Sequence, residues 1–404
     1  MHICVLNNET INIKLMILIT LAAVVTGLHL SHFEKSIKIP LKKKDFSNLP
    51  IKPLSPLKSP TYPAFITSQS TILLENYSNQ QYVGTVGIGN PPQWLTVIFD
   101  TGSGNFFINS ELCTAASCQS REAYDHELSS SYTSMSLPLQ VSFGSGTMQG
   151  ILCSDTLTIG EIQIPSQNFA EVVYEMGSIF YGCEFSGIMG LGFNTLAHDS
   201  TVPVFDNIVE SGVLEWNVFS FYFSLDPDID SELVIGNVDD SKYYGTIHWV
   251  PVTEDPYYWT ILISDVKFGK KSLGLCKDGC LAAIDTGTTL MLAPSKDLDI
   301  LYDHLPKTCE FSSMPDLIFV IDGKDYRIPA TTYMISVYNG EQEDPGIHTE
   351  QNPDECLFAF ISLDVDPPYG PVWVFGNIFM NSYYVAFDRD KMSVGFGRSI
   401  NNHK

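Results

Sequence analysis

The chain has 404 residues, with 46 acidic against 22 basic side chains and a formal net charge of −24. That length allows roughly two to three domains, and 44% hydrophobic with 12% aromatic residues is enough for a core, which excludes wholesale disorder. The sign of the charge is wrong for a phosphate binder, so no nucleic acid is expected as a partner.

In chain order, an apolar run at 15–25 follows Lys14 and precedes Thr26-Gly27. A charge, an apolar stretch and small residues make a signal peptide over 1–27, with Met16 as an alternative start. The run is too short for a comfortable transmembrane span of about 20 residues, so no stable membrane anchor is expected. Residues 28–68 then carry seven lysines (35, 38, 42, 43, 44, 52 and 58) against Glu34 and Asp45, a net of +5. Residues 69–404 carry 14 basic and 43 acidic side chains, a net of −29. A basic arm on an acidic body can dock on it; the plain alternative is a solvated tail.

Strand patterns dominate the body. Residues 81–89 alternate and end in the turn Asn90-Pro91-Pro92, and 94–99 read as a mostly apolar strand. The best helical patterns are 202–211 and 296–304. Short β-branched or aromatic runs at 317–321, 383–387 and 393–396 are bounded by Gly, Asp or Pro. The fold class is therefore mainly β, with several closed or stacked sheets.

An internal repeat is the most informative feature. Val97-Ile98-Phe99-Asp100-Thr101-Gly102-Ser103-Gly104 returns as Ala282-Ala283-Ile284-Asp285-Thr286-Gly287-Thr288-Thr289. Each copy has a second landmark, Gly187-Ile188-Met189-Gly190-Leu191-Gly192 and Val374-Phe375-Gly376-Asn377-Ile378-Phe379. The distance from Asp100 to Gly190 is 90 residues, and from Asp285 to Gly376 it is 91. Two copies at matched spacing argue for two similar lobes, each supplying one loop.

A lone Asp-Thr-Gly is usually a turn with a solvated or capping Asp. Two copies in repeated context weaken that reading. An Asp after an apolar strand sits on a tight turn, where Gly lets backbone approach closely and Thr can bond across to its counterpart. Two carboxylates brought together cannot both ionise easily, so the pair shares one proton over an acidic range. The ionised member can deprotonate a water while the protonated one polarises a peptide carbonyl. Neither a metal nor another cofactor is needed.

On these residues the chain resembles a pepsin-family aspartic endopeptidase precursor over nearly its whole length after the signal. Leu74-Glu75-Asn76-Tyr77, Tyr82-Val83-Gly84-Thr85-Val86-Gly87-Ile88-Gly89 and both Asp-Thr-Gly motifs carry the likeness. The resemblance implies an all-β, bilobal pepsin-like fold with the active-site cleft between two similar lobes. It places the N-terminal lobe with its flap at 69–243 and the C-terminal lobe at 244–404. It makes Asp100 and Asp285 the catalytic pair. Ser103 and Thr288 become hydroxyls bonding their outer oxygens, Thr101 and Thr286 a crossed contact beneath, and Gly102 and Gly287 the backbone beside the pair.

Residues 142–150 match the family's flap, whose glycines suit a mobile lid. Phe143 stands where the family usually has Tyr, and Phe107 where it commonly has Trp, so both polar handles are lost together. Replacing both partners of a hydrogen bond with apolar groups can be nearly neutral, and closure then rests on aromatic packing. Gly104 replaces the usual Ser, and Asn377 the usual Asp. By the same match Ile98, Phe107, Phe143, Gly144, Ser145, Phe185, Ile188 and Thr289 would touch substrate. An apolar pocket there implies bulky hydrophobic residues at the scissile bond; the plain reading of Ile98 and Ile188 is ordinary core.

Nine cysteines are present. Cys4 lies in the part expected to be removed, and eight suit an oxidising compartment. Metal ligation is weaker, because neither Cys113/Cys118 nor Cys276/Cys280 has a histidine or second Cys pair at zinc-like spacing. In the family, Cys113/Cys118, Cys276/Cys280 and Cys309/Cys356 stand where bridges occur. Cys153 and Cys183 have no such counterpart, and an extra bridge bracing the base of the flap is the expectation, with two buried thiols as the alternative. Asn76-Tyr77-Ser78 is a glycosylation sequon.

The basic segment resembles the opening of a pepsin-family prosegment. Such a segment would act as an intramolecular inhibitor held by carboxylates and released when acid neutralises them. The expectation is an acid-activated monomer acting on proteins or peptides, secreted or in an acidic vacuole. The competing class is an inert pepsin-like peptide-binding protein; relatives of that kind typically damage a motif, and both motifs are intact. No Gly-x-Ser-x-Gly or His-Glu-x-x-His is present.

Overall fold

The computed structural model describes residues 69–402, apart from 78–80, 144–145, 178–179, 181–182, 184, 199–200, 227, 255, 307–308, 337–355 and 368–369. The signal and prosegment regions, Gly144, Ser145 and Ser78 lie outside the described residues, as do the side chains of Asn76 and Phe143.

The first half supplies β1 (Ser70–Tyr77), β2 (Gln81–Ile88), β3 (Gln93–Asp100), β4 (Phe106–Asn109), β5 (Thr133–Phe143), β6 (Gly146–Ile159), β7 (Ile162–Met176) and β8 (Gly187–Gly190). Helix α1 (Val204–Ser211) follows Pro203 and stops at Gly212, whose positive φ of 66° closes the last turn. Then come β9 (Val218–Tyr222), β10 (Ser231–Ile235) and β11 (Tyr243–Pro251). The second half runs β12 (Thr260–Phe268), β13 (Lys271–Ser272), β14 (Cys280–Ile284), β15 (Met291–Ala293), α2 (Ser295–His304), β16 (Leu317–Ile321), β17 (Lys324–Ile328), β18 (Met334–Ser336), β19 (Cys356–Phe358), β20 (Phe360–Ser362), β21 (Val372–Phe375), β22 (Tyr383–Asp388) and β23 (Ser393–Ser399). Both helices lie within two residues of their sequence-based positions.

These strands form a large sheet in the order β11-β23-β22-β9-β10-β1-β2-β3-β8-β4-β7-β6-β5 and a second in the order β17-β16-β12-β14-β21-β15-β20. The repeat in sequence is a repeat in pairing. Strand β3 runs parallel to β8, with Asp100 opposite Gly190. Strand β14 runs parallel to β21, with Ile284 opposite Phe375. Outside each pair sits an antiparallel neighbour, β4 on β8 and β15 on β21. Beyond that comes a parallel strand, β7 or β20. Both Asp strands are buried along their inner ends, which explains why they read as nearly continuous apolar runs.

The large sheet also joins the two halves of the chain. Strand β22 pairs with β9, and β23 with β11. The core follows this join, with Phe219 stacked on Phe387 at 4.8 Å and edge-on to Trp259 at 5.8 Å. Among the described residues no helix is long and apolar enough to cross a membrane.

Candidate active site

Each Asp-Thr-Gly leaves the inner end of its strand as a tight turn. Ser103 N–H reaches the Asp100 carbonyl at 3.4 Å, and Thr288 N–H the Asp285 carbonyl at 3.3 Å. Within each turn the glycine N–H donates to the Asp side chain, Gly102 to Asp100 Oδ1 and Gly287 to Asp285 Oδ1, both at 2.8 Å.

The threonines bind the two turns together. Thr101 N–H donates to Thr286 Oγ1 and Thr286 N–H to Thr101 Oγ1, each at 3.0 Å. Thr101 Oγ1 donates in turn to the Ile284 carbonyl at 2.8 Å, and Thr286 Oγ1 to the Phe99 carbonyl at 2.6 Å. Both threonines are buried, so each hydroxyl satisfies a backbone group of the other copy that would otherwise be stranded. The carboxyl groups meet over this contact. A side chain on Gly102 would begin only 2.6 Å from Asp285 Oδ2, while Gly102 N–H already holds Asp100. Both carboxyls therefore lie against one residue.

The downstream landmarks seat the turns from behind. Leu191 N–H donates to the Asp100 carbonyl at 2.8 Å and Gly192 N–H to Ser103 at 2.8 Å. Asn377 N–H donates to the Thr288 carbonyl at 2.8 Å and Ile378 N–H to Thr289 at 3.1 Å. A side chain on Gly376 would begin 2.2 Å from the Leu290 carbonyl. Gly104 has the same constraint, with Ala197 N only 2.7 Å from where its Cβ would lie, so a Ser would not fit here without a shift of backbone. Asn377 is buried, with no partner for Oδ1 among the described residues.

Sequence comparison agrees with this geometry. Residues 81–399 match the family of eukaryotic aspartyl proteases. The chain belongs to that family. It is 37% identical over 335 residues to cathepsin E of Aquarana catesbeiana, covering 80% of each chain. It is 36% identical over 343 residues to cathepsin D of Gallus gallus, covering 81% of this chain and 83% of that one. To pepsin A of Canis lupus familiaris it is 33% identical over 347 residues, covering 83% and 85%. The protein is thus an aspartic endopeptidase with the bilobal, pepsin-like all-β fold, and its substrates are proteins or peptides.

Two expectations from the sequence are changed. Thr288 Oγ1 donates to Asp285 Oδ2 at 2.7 Å, but Ser103 Oγ is buried without a partner among the described residues. Thr has a β-branch that fixes its rotamer, whereas Ser does not, so the Ser103 hydroxyl is free to turn from Asp100. The bridge between Cys153 and Cys183 is also not made. Cys153 is a free thiol on β6, fully buried, with its Sγ 3.5 Å from the Phe169 carbonyl. Burial raises its pKa well above the usual thiol range. Cys183 is disulfide-bonded, though not to Cys153. Cys113–Cys118, Cys276–Cys280 and Cys309–Cys356 are bridged.

Ile98, Phe107, Phe185 and Ile188 come together in one buried cluster with Met148 and Leu139. Phe107 lies opposite Ile188 in the β4–β8 pairing. Thr289 is buried beside Thr288. Phe143 is the last residue of β5 and pairs with Gly146 of β6, so the hairpin expected for the flap is present up to its tip. Among the described residues no group of His, Cys, Asp and Glu is arranged to hold a metal.

Sequence reasoning did not single out Asn109, Arg121 or Glu175. Arg121 forms a buried ion pair with Glu175 and donates to the Phe185 carbonyl at 3.1 Å. Fifty-four residues separate the two charges, and no local pattern links them.

Proposed function

We propose that Asp100 and Asp285 hold a water between them and hydrolyse peptide bonds without a covalent intermediate. The observation carrying this reading is the crossed threonine contact, with both carboxyls against Gly102. Crowded carboxyls share a proton, so one serves as base toward the water and the other as acid toward the carbonyl. The buried apolar group of Ile98, Phe107, Phe185 and Ile188 supports a preference for bulky hydrophobic residues at the scissile bond. We place the lobe boundary between residues 243 and 244, the flap tip at Gly144 and Ser145, and a glycan acceptor at Asn76.

Residues 28–68 are the inhibitory prosegment of this reading, and their net +5 against the net −29 of the body supports acid release. Delivery through the secretory pathway, to the outside or to an acidic vacuole, follows from the signal segment. Two groups in the fold favour an acidic setting. Burial, with Asp239 adding to it against the opposing pull of Lys242, raises the Glu232 pKa to about 7. A hydrogen bond to Glu171 raises that of His126. In both cases the folded state binds its proton more tightly than the unfolded chain. The stability they contribute is present in acid and is lost as pH rises through the folded pKa.

The test is to express the chain from residue 28, acidify it, and follow its mass together with cleavage of an unbiased peptide library. Acid-dependent shortening and cleavage are expected, both inhibited by pepstatin and absent in Asp100→Asn. An intact chain that cleaves nothing at any acidic pH would refute the reading.

A further inference from the structure

Outside the Asp-Thr-Gly turns, the first half of the chain buries two carboxyl groups and a thiol beside one polar segment. Glu171 on β7 and Asp155 on β6 are each 1% exposed, and Cys153 on β6 is fully buried. Residues 125–132 reach all three. Tyr132 Oη donates to Glu171 Oε2 at 3.2 Å, and the ring lies close enough to Cys153 to feel its charge. Ser131 Oγ donates to Asp155 Oδ1 at 2.5 Å. His126 Nδ1 lies 2.8 Å from Glu171 Oε1, and its ring stacks on Tyr132 with centroids 4.6 Å apart.

The segment has little else to hold it down. None of residues 125–132 is buried, Leu128 is 62% exposed, and of the eight only Tyr132 packs on the core. The other ties are polar and reachable by water. Asp125 exchanges bonds with Gln93 at 2.8 and 2.9 Å, and Ser129 and Ser130 bond Asn90 at 2.9 to 3.0 Å. Segments with few buried apolar contacts open at little cost.

Its buried anchor is therefore the ion pair of His126 with Glu171. Arg121, the other cation between β4 and β5, is taken up by Glu175. The ionisable groups facing His126 are Glu171 from β7, Tyr132 from the approach to β5, and Asp125 and Glu127 from its own turn. All three carboxylates favour the imidazolium. Without its proton the ring can keep one N–H on Glu171, but the buried charge then has no counter-ion. That is the costly state of a broken buried pair.

We propose that residues 125–132 are a pH-sensitive strap, closed while His126 is protonated and released as it loses its proton, which bares Cys153 while the sheets beneath stay folded. The folded state raises the His126 pKa above its ordinary 6.5. Closure is thus complete in acid and fails as pH rises through the folded pKa. The strap is separate from the peptidase reading, and its test needs no activity.

The test follows labelling of Cys153 by 4,4′-dithiodipyridine, which reacts with thiols in acid as well as in base, and locates the label by peptide mass spectrometry. The chain is expressed from residue 28 with Asp100→Asn, so that it does not digest itself. At each pH between 4 and 9 the rate is divided by that of the same chain unfolded in guanidinium, which removes the thiol's own titration. The ratio is expected to be low and flat from pH 4 to 6 and to rise about tenfold or more by pH 9, with tryptophan fluorescence unchanged. Adding His126→Lys, whose cation persists, should keep the ratio low throughout. Adding His126→Gln should make it as high at pH 4 as at pH 9. A flat ratio in the parent chain would overturn the proposal. So would a rise that coincides with a change in fluorescence, which is global unfolding, or the same rise in the Lys variant. The parent profile decides the matter even where a variant fails to fold.

Discussion

The two Asp-Thr-Gly turns use the same backbone frame with different side-chain support. In the second, Asp285 is half-buried and Thr288 donates to its Oδ2. In the first, Asp100 is 4% exposed and the Ser103 hydroxyl has no partner among the described residues. The glycine bonds and the crossed threonines match to within a tenth of an ångström or better. What the repeat preserves is therefore the main-chain frame that brings the carboxyls together, while the outer hydroxyls are free to diverge.

The largest expected effect tests the equivalence of the two turns. Asp100→Asn and Asp285→Asn should each lower kcat about a thousandfold or more, and the double variant should be little worse than either. A single variant that retains activity would break the symmetry at its centre. The asymmetry is tested next. Thr288→Val should reduce kcat/KM by about tenfold to a hundredfold, as the loss of a hydrogen bond to a charged group does. Ser103→Ala should change it by no more than about twofold, because it removes no bond made in the fold. Equal losses would return the first turn to the family expectation.

The shared frame predicts matched losses of stability. Thr101→Val and Thr286→Val each strand a buried N–H and a carbonyl of the opposite copy, at about 1–3 kcal/mol per group. Their melting temperatures should fall by similar amounts, and the double variant by less than the sum, since both act on one contact. The smallest effect separates pH dependence from the site. Glu232→Gln should raise Tm at pH 8, where the native carboxyl is being forced to ionise, and leave it unchanged at pH 4. A Tm gain of the same size at both values would show that the effect does not come from titration.

The sequence made the frame legible because it is a pattern. Two apolar strands ending in Asp-Thr-Gly, with glycine landmarks 90 and 91 residues on, implied two matching units, and the parallel β3–β8 and β14–β21 pairs are those units. Side-chain choices within the frame were less legible. Whether Ser103 faces Asp100 depends on a rotamer, and rotamers leave no trace in spacing. Cys153 and Cys183 looked like partners because one follows the flap, the other precedes the Gly187 element, and the compartment is oxidising; Cys153 is instead buried beside Leu152, where the inside-outside alternation of β6 breaks. Asn109, Arg121 and Glu175 meet through tertiary packing, with no shared motif.

The join between β9 and the C-terminal strands has a consequence for synthesis. Tyr384 donates to Ser220 across 164 residues of sequence, and β22 and β23 fill the space between β9 and β11. A growing chain therefore carries an open sheet edge at β9 until β22 has been made. Such edges template pairing with other chains, and non-local strand pairing is slow to form. The nascent protein must keep that edge out of reach of its neighbours until β22 and β23 emerge, so loss of those two strands would lower yield.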